Sequence, residues 1–119
     1  MAEEELVETF YDNAGDWVMQ YFLPIYNRYA NNSDTFWCPQ WWKHPEALNR
    51  LTFIWMTWEQ ARRDPPTLST WWREHADYHM SILMSDRGPM RYCKNGKHEE
   101  ERYAREALKI EPYPADLFA

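Results

Sequence analysis

The stretch Pro45-Glu46-Ala47-Leu48-Asn49-Arg50-Leu51-Thr52-Phe53-Ile54-Trp55-Met56-Thr57-Trp58-Glu59-Gln60-Ala61-Arg62-Arg63 decides the fold class. Leu48, Leu51, Trp55 and Trp58 step by three, four and three, with Ile54 and Ala61 beside them, which is the spacing of one apolar helix face. Proline is favoured at a first helical position, where its missing N–H would have no partner in any case. It also pushes the preceding residue out of helical space, so His44 is expected at the N-cap. Arg62 and Arg63 suit the negative end of the helix dipole, and Asp64-Pro65-Pro66 stops the helix.

Working outward, a first helix is expected from Asn13 to Tyr29, with Trp17, Tyr21, Ile25 and Tyr29 stepping by four along one face. Pro24 inside that run is expected to kink the helix or split it. Asn31-Asn32-Ser33-Asp34 is a break, and Phe36 to His44 is an irregular segment too aromatic for a plain surface loop. Downstream, Ser69 or Thr70 is expected to cap a third helix through Trp71 and Trp72 toward Leu83, with Asp77 able to end one turn and cap the next. Ser85 to Pro89 reads as a turn, Met90 to Lys97 as a loop with an extended pair at Arg91-Tyr92, and Glu99 to Lys109 as a last, polar helix. Leu117 and Phe118 are expected to dock on the body. The expected architecture is all-α: a compact bundle of three to four helices, one irregular aromatic segment and an extended C-terminal tail. Its organisation reads as an acidic, frayed segment 1–10, a single helical domain 11–110 and a tail 111–119.

The composition agrees with one folded domain of 119 residues. A mean hydropathy of -0.85 would suit a disordered chain. Yet 45% of the residues are hydrophobic and 18% aromatic, and Trp and Tyr score as polar on that scale while burying large apolar faces. The net charge of -6 disfavours nucleic acid and anionic membranes as partners. The Met1-Ala2-Glu3-Glu4-Glu5-Leu6 start has no basic region followed by an apolar run, and no apolar stretch approaches the roughly 18 residues of a membrane span. With two cysteines, the chain reads as cytoplasmic, its sulfurs serving as thiols or metal ligands.

Two kinds of residue stand out as candidate chemistry. Trp41-Trp42 and Trp71-Trp72 are adjacent pairs, and neighbours on a helix point about 100° apart. One indole of each pair can enter the core while the other stays at the rim, and Trp42 and Trp72 are the candidate partner-binding residues. The cysteines and histidines form three couples: Cys38-x5-His44, His75-x3-His79 and Cys93-x4-His98. Histidines four apart share a helix face and can bind one ion, so Cys38, His75, His79 and Cys93 form the expected structural zinc set, with His98 as alternate. His44 is explained by its capping position. The alternative reading is that these are buried thiols and hydrogen-bonded imidazoles. Arg87, Arg91, Lys94 and Lys97 make a small basic island, blunted by Glu99-Glu100-Glu101. No phosphate-binding loop, nucleophile elbow or deaminase signature is present, so no catalytic residue is assigned.

The blocks Trp37-Cys38-Pro39-Gln40-Trp41-Trp42-Lys43-His44-Pro45-Glu46-Ala47, Trp71-Trp72-Arg73-Glu74-His75-Ala76-Asp77-Tyr78-His79-Met80 and Gly88-Pro89-Met90-x-x-Cys93 resemble a family of small uncharacterised domains from actinobacteria, their phages and mobile elements. That family is a domain of unknown function. The resemblance implies no activity, cofactor or site, but it points to a phage or mobile-element accessory protein; the segment Glu99 to Lys109 departs from relatives that are shorter and richer in proline there. The function expected first is therefore non-enzymatic binding of a host or element protein through an aromatic-rimmed surface. A small metalloenzyme on His75 and His79 is second, and a nucleic-acid accessory factor third.

Overall fold

The computed structural model of the chain describes residues 8–32, 34–93, 96–99 and 108–119. Within them the fold is all-α: three helices and no sheet.

Helix α2 (Pro45–Ala61) follows its sequence signals. His44 holds the extended N-cap conformation before Pro45, and its carbonyl accepts the first helical bond from the Leu48 amide at 2.9 Å. The buried face differs from the expected one. Ala47, Leu51, Ile54 and Trp58 face the core, Trp55 is half-buried, and Leu48 is 42% exposed. The alternation of four and three residues starts at Ala47 instead of Leu48.

Helix α1 comprises an α-turn (Ala14–Trp17), a π-turn (Val18–Phe22) and a closing turn (Leu23–Ile25). Asn13 caps it, its side-chain oxygen accepting from the Asp16 amide at 2.8 Å. The helix stops at Ile25, short of Tyr29. The wide π-turn directly before Pro24 makes room for a ring that would clash with a carbonyl four residues back, so the helix passes the proline without a split. That extra residue per turn also shifts the face: Trp17, Val18 and Phe22 are buried, while Ile25 and Tyr29 are exposed.

Helix α3 runs unbroken over residues 68–83, as Leu68–Trp71, a π-turn Trp72–Asp77 and Tyr78–Leu83, after a 3-10 turn at Pro65–Thr67. It starts earlier than a Ser69 or Thr70 cap would place it, and Asp77 sits in helical conformation without capping anything.

Rings join the helices. Trp17 lies 5.8 Å from Trp58 and 6.1 Å, edge-on, from Trp71, and Trp71 donates its indole N–H to the Ile54 carbonyl and to the Thr57 hydroxyl. Glu59 fastens the N-terminal segment. Its buried carboxylate accepts from the Phe10 and Tyr11 amides at 2.9 and 3.0 Å, from the Trp55 indole at 3.0 Å and from Arg62 at 2.7 Å. Burial alone would push this carboxyl up, and those four donors overcome it and hold it below its usual value.

The chain between helices is pinned at a few points. Asn31 takes a left-handed φ of 62°, tolerable for its short polar side chain, and its side-chain oxygen accepts from the Trp37 amide. Phe36 donates its amide to the Met84 carbonyl at 2.9 Å. After α3, Gly88 closes a turn on Ser85, and a Cβ there would stand 2.5 Å from the Leu83 carbonyl oxygen. Arg91 and Tyr92 lie in turns, not in an extended pair. Leu117 and Phe118 are exposed and do not dock on the body; Phe118 packs on Tyr113 within the tail, at 5.2 Å. The acidic start up to residue 7, Lys94 and residues 100–107 of the expected last helix lie outside the described residues, and Glu99, Leu108 and Lys109 at its ends are not helical.

Glu59→Ala leaves two backbone amides and an indole N–H without their acceptor, and urea unfolding should show a loss of about 3 kcal/mol. Gly88→Ala should lower the thermal midpoint by several degrees, since the added methyl meets backbone that cannot step aside.

Candidate metal centre

The fold brings two of the three couples together. Cys38 lies within the irregular segment and precedes the 3-10 turn Trp41–Lys43, and His44 follows that turn. Cys93 and His98 come from the loop beyond α3. The four donor atoms all lie within 4.8 Å of one another. Cys38 Sγ is 3.2 Å from His98 Nδ1, Cys93 Sγ is 3.4 Å from His44 Nε2, and Cys93 Sγ is 4.0 Å from His98 Nδ1. The His44 and His98 rings meet edge-on at 4.7 Å. A tetrahedral ion with metal–sulfur bonds of about 2.3 Å and metal–nitrogen bonds of about 2.0–2.1 Å needs ligand separations of roughly 3.3–3.8 Å. The four side chains therefore lie close enough to hold one metal ion.

Local structure aims each ligand. Pro45 fixes His44 in an extended conformation, and with the cap made by backbone geometry alone the imidazole is left to point at Cys93. The Cys38 amide donates to the Met90 thioether at 3.4 Å, which seats the first cysteine on the loop that carries the second. The Glu99 amide donates to Cys93 Sγ at 3.4 Å, which seats the second cysteine on its own loop. Cys38, His44 and Cys93 are buried and His98 is partly so. Burial, and then the neighbouring Cys93 thiol, push the Cys38 thiol up to about 11.

His75 and His79 stand apart from this cluster. They do lie along α2, but His79 Nδ1 is 2.9 Å from Arg50 Nη1, and His75 lines a groove with Thr57, Gln60 and Trp71. Arg50 can only donate, so His79 accepts as a neutral imidazole. Desolvation, the Arg50 charge and His75 all hold its pKa below the usual value. Of the expected set, Cys38 and Cys93 come together without His75 and His79; the histidines beside them are the alternate His98 and His44, which also holds the N-cap of α2. The signal in the sequence was the pair of similar spacings, Cys38 to His44 and Cys93 to His98.

Trp41 is buried and Trp42 is 49% exposed, resting edge-on against it at 5.7 Å. Trp71 is buried, whereas Trp72 is half-buried and stacks on Tyr26 at 6.3 Å. Of the basic island, Arg87 and Lys97 are exposed, and Arg91 folds back to the Gly88 carbonyl and over the Tyr92 ring.

The chain belongs to the family described as Domain of unknown function (DUF4913), whose model matches residues 11–114. No curated protein and no solved structure matches it.

The depressed pKa of His79 has a pH signature. The native state refuses a proton that the unfolded chain accepts, so this contribution to stability is present above the unfolded value of about 6.5 and is lost as pH falls through the folded value. His79→Gln should therefore show a smaller drop in thermal midpoint than the wild type between pH 7.5 and 5.5, measured at equal metal loading.

Proposed function

We propose that this member of the DUF4913 family is a non-enzymatic binding domain stapled by one structural zinc ion on Cys38, His44, Cys93 and His98. The closed ligand set carries the reading. Two thiolates and two imidazoles complete a tetrahedral shell, and a hydrolytic site instead keeps a position open for water. The soft, borderline donor set suits zinc better than magnesium or calcium, which take oxygen ligands. The staple falls where helix packing is weakest, joining the segment before α2 to the loop after α3. Buried thiols held as ligands suit a reducing, cytoplasmic setting, and no helix among the described residues is long and apolar enough to cross a membrane.

A protein partner engaged through an aromatic rim is the activity that fits a domain with a closed metal site. Trp42 supports it, being a large half-exposed side chain beside the metal segment. The phage or mobile-element setting rests on the resemblance of the tryptophan blocks alone.

Untagged protein should carry about one equivalent of zinc by elemental analysis. Cobalt substitution should give the intense visible bands of a tetrahedral two-sulfur site. Cys38→Ser or Cys93→Ser should abolish both, while His75→Ala and His79→Ala leave them unchanged. Absence of metal from the wild type, or three protein ligands plus water in its X-ray absorption spectrum, overturns the reading.

A further inference from the structure

Beside the four ligands runs a shallow cleft of about 530 Å³ between two stretches of chain: Pro39, Gln40 and Lys43 on one side, Gly96, Lys97 and His98 on the other. The first stretch lies between Cys38 and His44, and the second between Cys93 and His98. Each wall is thus bracketed by one ligand couple, and a single ion held by both couples sets the distance between the walls.

We propose that this cleft binds one anionic group, a phosphate or a carboxylate, between Lys43 and Lys97. The inference rests on the reading that the four side chains hold a metal. Charge is the main argument. Both lysines are exposed, and neither forms an ion pair among the described residues, in a chain of net charge -6. Acidic residues are in excess over the molecule as a whole, yet among the described residues these two lysines line one cleft without an ion-pair partner. The metal centre would not supply a balancing charge, because a dication with two thiolates and two neutral imidazoles is neutral. Two ammonium groups act as point charges suited to a doubly charged phosphate, and the Gln40 amide adds a neutral donor in the same cleft. Gly96 turns the chain through a left-handed φ of 68° with open space around it, so this wall has room for a small group.

Among the described lining residues the one general base is His98, whose Nδ1 faces the two sulfurs; the proposed role is recognition of the anion. Shallow and solvent-facing, it should hold a free anion only at about millimolar concentration and gain affinity when the group is borne by a larger ligand.

The test is an amide-resolved NMR titration of the full zinc-loaded chain with inorganic phosphate and, separately, with acetate, at low and at moderate salt. Zinc content is measured on every sample. The expected result is a saturable shift at Gln40, Lys97 and His98, weakened about tenfold or more in the Lys43→Gln/Lys97→Gln double variant with its zinc retained, and lost when zinc is removed by a chelator. Stronger binding of phosphate than of acetate identifies a phosphorylated ligand; equal binding identifies a carboxylate. A non-saturable response, or equal binding by the double variant at one equivalent of zinc, overturns the proposal and leaves the metal reading standing. Binding of duplex DNA without binding of phosphate overturns it in favour of a nucleic-acid surface. A wild type without zinc overturns the metal reading, and anion binding by that protein would then show a cleft set by the chain alone.

Discussion

Trp17 meets Trp58 and Trp71 near the centre of the molecule, and each of the three indoles comes from a different helix. Aromatic side chains bury large areas and lock into tilted and edge-on contacts, so a few of them fix the mutual orientation of short helices that aliphatic contacts alone would hold loosely. Among the described residues, the indole N–H groups of Trp17, Trp41 and Trp58 are buried without a protein hydrogen-bond partner, whereas Trp71 donates its N–H to α2.

The Cys/His cluster inherits its geometry from that packing. With Trp58 and Leu51 seated, the N-terminus of α2 and its capping His44 are placed. The Phe36 amide, bonded to the Met84 carbonyl, brings Cys38 alongside the end of α3, and the tight turn at Gly88 sends the chain back so that Met90 and Cys93 lie beneath it. None of the four ligands sits within a helix. Their positions are set by a proline, a backbone bond, a close-packed glycine turn and a thioether contact, so a metal staple there would fix chain that has few other constraints.

A shell completed by these four side chains, three of them buried, would leave no place for a substrate at the metal. The solvent-facing chemistry lies next to it instead, in the cleft with Lys43 and Lys97 and at the half-exposed Trp42. His75 and His79 belong to the α2–α3 interface. Histidines four apart on a helix are as well suited to contacting a neighbouring helix as to binding an ion, and here Arg50 occupies one of them.

The sequence by itself determined the helical class, the start and end of α2, the division of each tryptophan pair into a buried and a more exposed member, and the presence of two similarly spaced Cys–His couples. These are local properties, written in the spacing of apolar residues, in the placement of Pro45 and in the 100° step between neighbours on a helix. Two features escaped it because they depend on the rest of the molecule. The π-turns in α1 and α3 shift the helical phase, so Ile25 and Tyr29 do not continue the face that Trp17 and Tyr21 turn to the core. The choice among six possible ligands depends on which segments meet in space. Spacing favoured His75 and His79, and only the docking of the Cys93 loop against the chain before α2 brings His44 and His98 to the two cysteines instead.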